Sequence, residues 1–147
     1  MRVYRIAKAQ YARDLSGEGS RLYGGRWTPK GQPTVYTSEH PALAAWELAI
    51  RYDFPFDAAP LDHRLVEIEL PEDVTGAMID VSDLPNDPLA IGADWLAKGS
   101  SLLLRVPSVV IPQSYNILIN PRHPDMKQVQ VSGCTTFTFD ARVSTQD

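Results

Sequence analysis

The chain has 147 residues, 44% of them apolar, and a formal net charge of −4, which suits one globular domain over residues 1–147 and leaves little room for a second. The acidic balance argues against an extended nucleic-acid surface, leaving only a local basic patch at Arg21, Arg26 and Lys30 to attract a small anion. A lone Cys134 excludes a disulfide framework and a thiolate zinc site, and no apolar run reaches the length of a membrane span or a leader core, so a cytoplasmic protein with no membrane partner is expected.

In chain order, Val3 to Ile6 predicts a short strand and Ala7 to Leu15 a brief helix closed by Ser16 and Gly17. Arg5 is a charge within that strand, and a structural role is its simpler reading. Gly17, Gly19, Gly24, Gly25 and Gly31 then crowd a segment predicted to be irregular. Glycine lets a backbone approach a ligand closely. A guanidinium forks two N–H bonds onto phosphate or carboxylate, so Arg26 in this segment is a candidate phosphate clamp. A glycine-rich surface loop with a solvated arginine is the alternative. No phosphate-loop or dinucleotide glycine motif occurs.

Val35 and Tyr36 predict a second strand, and Ser38 is placed to cap a helix that has Pro41 in its first turn and runs to about Tyr52. At about 100° per residue Leu43, Trp46 and Ile50 fall on one stripe, and Glu47 lies inside it. A carboxylate carried inward must be ion-paired, protonated or facing a cavity where a ligand meets it. Tyr36 stands at the mouth of such a cavity, or packs at a rim. The segment 51–62, RYDFPFDAAPLD, predicts a loop serving as a rim or lid.

His63 to Leu70 alternates as a half-solvated strand, with Val66, Ile68 and Leu70 inward and Glu67 and Glu69 outward. Ala77 to Val81 predicts a further strand, and Leu89 to Lys98 a helix stopped at Gly99 with Trp95 and Leu96 inward. Leu102 to Val106 predicts a buried strand, and Ser108 follows at its end. No nucleophile elbow surrounds Ser108 and no histidine is placed as its base, which argues against a serine hydrolase. Tyr115 to Ile119 is another strand; His123 in NPRHPD reads as a loop-fixing hydrogen-bonder rather than a metal ligand. Val129 to Val131 and Phe137 to Phe139 predict a closing pair of strands before a frayed tail. Strands outnumber helices without alternating with them, which predicts an α+β domain with a mixed, antiparallel or split sheet and a few helices.

The ordered motifs GGRWTPKGQPTVYTSEHPALAAWE, LLLRVPSVVIP and NILINPRHPD resemble the RES domain family, the toxin halves of bacterial Xre–RES toxin–antitoxin pairs, over essentially the whole chain. The family's arginine, tyrosine, glutamate and serine fall on Arg26, Tyr36, Glu47 and Ser108. The resemblance implies a fold similar to ADP-ribosyltransferases and loss of NAD+ by hydrolysis or phosphorolysis, with transfer to a protein as an alternative and a non-catalytic antitoxin-binding module as another. It also implies a cognate Xre-type antitoxin, a helix-turn-helix protein. NAD+ would be substrate rather than cofactor, with inorganic phosphate a candidate co-substrate. In that chemistry Glu47 steadies an oxocarbenium-like ribose, Arg26 binds phosphate, Tyr36 stacks on nicotinamide or its ribose, and Ser108 bonds the ligand or fixes Glu47.

Overall fold

A computed structural model describes residues 1–51, 62–75 and 77–140. The first strand, β1 (Arg2–Lys8), runs further than its apolar residues predict, because every residue from Arg2 to Lys8 pairs with β3 (His63–Glu69). The helix expected over Ala7 to Leu15 is absent; a single 3-10 turn at Ala9–Tyr11 replaces it. Arg5 ties the segment down in this shape, its Nη2 donating to the carbonyls of Tyr11 (2.7 Å) and Asp14 (2.8 Å). The glycine-rich segment, expected to be irregular throughout, begins with a helix, α1 (Glu18–Tyr23). Glu18 and Arg21, three residues apart, are joined there at 2.9 Å, which removes Arg21 from the basic patch.

Four further strands complete the sheet with β2 (Val35–Ser38): β4 (Ile79–Asp80), β5 (Leu103–Pro107), β6 (Tyr115–Ile119) and β7 (Gln130–Phe137). The seven strands lie in the order β4-β5-β6-β2-β1-β3-β7, antiparallel at every junction except the parallel β4–β5 pair. A mixed α+β sheet is therefore observed as expected. The predicted closing pair at 129–131 and 137–139 is instead the one continuous β7, laid along β3. Ser132 and Gly133, which resemble a turn, are accommodated where the register shifts opposite Glu67 and Ile68, as in a β-bulge. The strand expected at Ala77 to Val81 shrinks to the two exposed residues of β4, and a short α3 (Glu72–Thr75) precedes it.

Each face of the sheet carries a core. On one side Val3, Val35, Val66, Ile68, Leu103, Ile117 and Ile119 are buried together. The other side has two clusters. Ile6 meets Ala44 and Leu48 of α2 (Pro41–Arg51), while Leu104, Val106 and Leu118 meet Trp27 and Trp95, the latter from α4 (Pro88–Lys98). The α4 boundaries follow their signals: Asp87 accepts the Ala90 N–H at 3.1 Å, and Gly99 ends the helix. Among the described residues no helix is long and apolar enough to cross a membrane. The proposed lid falls mostly on residues 52–61, and the frayed tail on 141–147, both outside the described residues.

The approach of α4 to the chain around Trp27 is close enough to require glycine, because a Cβ at Gly92 would stand 1.6 Å from the Trp27 carbonyl oxygen. Gly92→Ala must therefore displace either α4 or the segment leading to Trp27. Overpacking of this kind costs about 1–3 kcal/mol. A urea titration is expected to show that loss as a lower midpoint; an unchanged midpoint would mean the two segments separate freely.

Candidate active site

The helix α2 buries Leu43, Ala44, Leu48 and Ala49, whereas Trp46 and Ile50 are 47% and 57% exposed. The predicted stripe of Leu43, Trp46 and Ile50 is thus turned about the helix axis, and only Leu43 of the three is in the core. Small Ala44 and Ala49 let the helix sit close to the sheet, and the arc from Leu43 to Leu48 faces it. Glu47 projects inside that arc and is half-buried. Ser38 does not cap the helix: it closes β2, and His40 Nδ1 accepts the Ala42 N–H at 3.1 Å in its place.

Two neutral donors converge on one oxygen of Glu47. Asn116 Nδ2 donates to Oε2 at 2.6 Å and Ser108 Oγ donates to the same atom at 3.0 Å. Ser108 is fully buried just past the end of β5, and its Oγ also accepts the N–H groups of Val110 (3.1 Å) and Ile111 (3.2 Å). Asn116 lies on β6 opposite Ser38 of β2, whose hydroxyl donates to Asn116 Oδ1 at 2.7 Å. Among the described residues Glu47 has no cationic partner, and its Oε1 has no hydrogen-bond partner. The internal ion pair that would make Glu47 structural is not formed there.

Tyr36 precedes Ser38 by two residues on β2, so both side chains rise from one face of the sheet about 7 Å apart. The Tyr36 hydroxyl lies 2.6 Å from Thr28 Oγ1, which is 3.1 Å from Ser20 Oγ. Burial pushes the Tyr36 phenol above its usual pKa, with the Thr28 hydroxyl acting in the opposite direction. Backbone passes directly over the ring: a Cβ on Gly25 would meet the Tyr36 hydroxyl oxygen at 2.5 Å and Cζ at 2.8 Å. The next residue is Arg26. Its loop is closed by the Gly25 N–H to Thr28 O (2.9 Å) and the Gly31 N–H to Arg21 O (2.8 Å), and Trp27 beyond it is buried under α4.

Glu47 and Ser108 are therefore in direct contact, Tyr36 shares their side of the sheet, and Arg26 is mounted beside Tyr36. The Arg26 side chain is exposed, with no ion-pair partner among the described residues and no hydrogen bond to the other three. Asn116 and Thr28 belong to the constellation without being singled out from sequence, and Ser38, read there as a helix cap, joins it instead as the partner of Asn116. Asn116 had a legible signal, being a polar residue in the otherwise apolar YNILI beside Tyr115. Elsewhere, His123 Nδ1 accepts the Asp125 N–H at 3.1 Å and fixes its loop as expected. No cluster of three or more potential metal ligands occurs among the described residues.

Comparison with known proteins gives a consistent picture. The family model described as RES domain matches residues 2–141. A protein of Sphingobium sp. named "Prs ADP-ribosylating toxin" is 34% identical over 97% of this chain and 94% of its own length. A "Toxin Res" of Pseudomonas putida is 35% identical over 97% of this chain and 99% of its own. Among solved structures, a chain of the M. tuberculosis MbcT–MbcA toxin–antitoxin complex superposes with a TM-score of 0.75 at 20% identity, covering 93% of this chain and 84% of that one.

Ser108 satisfies two backbone donors while supporting Glu47, so Ser108→Ala leaves the Val110 and Ile111 N–H groups without their side-chain acceptor. The expected loss of stability is about 1–3 kcal/mol. Amide hydrogen exchange checks its origin, with Val110 and Ile111 exchanging faster than in the wild type. Unchanged protection at both amides would contradict the assignment.

Proposed function

The chain belongs to the RES domain family, and from that premise we propose that it is the toxin of a bacterial toxin–antitoxin pair and destroys NAD+ by breaking the nicotinamide–ribose bond. The observation that carries this reading is the state of Glu47: a half-buried carboxylate held through one oxygen by neutral donors, with the other oxygen free among the described residues. Nicotinamide leaves NAD+ as a neutral pyridine, so departure needs no general acid. A single carboxylate can then suffice, unlike the pair most glycosidases use.

In this mechanism Glu47 Oε1 faces the ribose and offsets the positive charge that develops at C1″ as the C–N bond breaks. Tyr36 lies against the nicotinamide or its ribose, and Arg26 secures a phosphate with its forked donors. The acceptor adds to C1″ as nicotinamide leaves. Water yields ADP-ribose and a proton released to solvent; inorganic phosphate yields the 1″-phosphate of ADP-ribose. NAD+ is the substrate in this scheme, and no further cofactor takes part.

A second reading has a specific basis, since one relative at 34% identity is named as ADP-ribosylating. The same residues then transfer ADP-ribose to a protein, and mass analysis of the products separates the three acceptors. Such a toxin acts in the cytoplasm, where NAD+ is abundant, and needs restraint. An antitoxin partner of the Xre helix-turn-helix type fills that role in this proposal.

Glu47→Gln retains size and shape but removes the charge. Loss of one preorganised electrostatic group lowers turnover by about 10²–10³, so NAD+ consumption by the folded variant should fall by at least that much. Turnover equal to wild type would remove Glu47 from the mechanism.

A further inference from the structure

We propose that Asn116 and Ser38 are positioning residues for Glu47, forming a relay across β2, β6 and α2 that fixes which carboxylate oxygen faces the substrate. The inference rests on the NAD+-cleaving reading and adds to it two residues beyond Arg26, Tyr36, Glu47 and Ser108. Both bonds of the relay are short, 2.7 Å from Ser38 Oγ to Asn116 Oδ1 and 2.6 Å from Asn116 Nδ2 to Glu47 Oε2.

A carboxylate at the end of a glutamate turns easily, because its last torsion is broad and roughly two-fold. A single donor would tether one oxygen and still let the group pivot about that contact. Here Ser108 and Asn116 reach Oε2 from two different strand ends, and the pair of directions defines the plane of the group. Oε1 is then left bare at one defined place.

The orientation of the Asn116 amide is set by the same chemistry. An ionised carboxylate only accepts, so the amide must turn its NH2 toward Glu47 and its oxygen toward β2. Ser38, 4% exposed, meets that oxygen with a donated hydroxyl proton. Without Ser38 the amide oxygen loses the one partner it has among the described residues, and the amide gains a reason to reverse. A reversed amide would present oxygen to oxygen at Glu47, which is repulsive.

Misplacement of a reacting group by about 1 Å can cost on the order of 10² in rate. Asn116→Ala should therefore lower kcat for NAD+ loss by roughly 10- to 100-fold, with KM within about threefold of wild type, because the grip on the phosphates is untouched. Ser38→Ala should lower kcat by less and in the same manner. Asn116→Asp separates positioning from folding, since it is nearly isosteric. While the two facing carboxyls share one proton, the introduced carboxyl donates to Glu47 as the amide did. As pH rises and that proton leaves, two like charges face each other and activity falls. The variant thus gains a basic limb in its kcat profile that wild type lacks.

The experiment compares wild type, Asn116→Ala, Asn116→Asp, Ser38→Ala and Glu47→Gln, each checked by circular dichroism, in an NAD+ consumption assay across pH. An Asn116→Ala kcat within about threefold of wild type, or an Asn116→Asp profile matching wild type, overturns the positioning role while an inactive Glu47→Gln leaves the NAD+ reading standing. Wild-type turnover by Glu47→Gln overturns both. Should Asn116→Ala fail to fold, the Asn116→Asp profile alone decides.

Discussion

The structure depends on how a carboxylate is kept against one face of the sheet with no cation beside it among the described residues. An uncompensated buried carboxylate would ordinarily take up a proton or recruit an arginine. Among the described residues Glu47 has no arginine beside it: it is half-buried, and dipoles hold it, a hydroxyl and an amide each donating to the same oxygen. Neutral donors leave the net charge of the group intact. An arginine in their place would hold the carboxylate more firmly but cancel the field that a cationic ribose would feel.

Much of the fold can be understood as the means of assembling those donors. The strand order sets β2 beside β6 and β6 beside β5, so that Ser38, Asn116 and the chain leaving β5 toward Ser108 occupy adjacent strands. A second set of contacts fixes the start of α2 to the same strands. Glu39 accepts the Tyr115 N–H at 3.2 Å and meets Arg105 Nη2 at 3.3 Å, while the Arg105 guanidinium lies 3.6 Å above the Tyr115 ring. These partly exposed contacts are individually modest. Together they join the turn before α2 to β5 and β6, the two strands that carry the partners of Glu47.

What could be read from sequence, and what could not, follows from the range of each interaction. Periodic strands such as His63 to Leu70, and the helix Leu89 to Lys98 with its Gly99 stop, are encoded locally and appear nearly where expected. The failures come from distant partners. No local signal says that Arg5 will bind the carbonyls of Tyr11 and Asp14, or that β3 will draw Ser132 and Gly133 into one long strand. For α2 the inward position of Glu47 was legible, but the stripe around it was not, since Trp46 and Ile50 outrank alanine in apolarity while close contact with the sheet selects Ala44 and Ala49. The individual side chains Arg26, Tyr36, Glu47 and Ser108 stood out through their types and the family resemblance. Asn116 and Ser38 act through a cross-strand register that only the assembled sheet defines.

The two charged ends of the candidate site are mounted in opposite ways, and the difference suits the tasks the proposed mechanism gives them. Glu47 is fixed at its side chain, whereas Arg26 is fixed at its backbone: Gly25 lies against the Tyr36 ring, the turn closes through the Thr28 carbonyl, and Trp27 is wedged under Gly92. Charge stabilisation at a reacting carbon falls off within a few tenths of a nanometre of misplacement, so the carboxylate benefits from being rigid before substrate arrives. A phosphate held by a guanidinium tolerates more slack, because the forked donors adapt and the charge acts at longer range. In that mechanism the Arg26 side chain, without an ion-pair partner among the described residues, would lose rotamer entropy on binding phosphate, but its anchored loop has already lost the backbone share. The glycine at position 25 thereby serves the arginine after it through Tyr36, and the small residues on α2 and α4 serve the same site by letting backbone approach backbone.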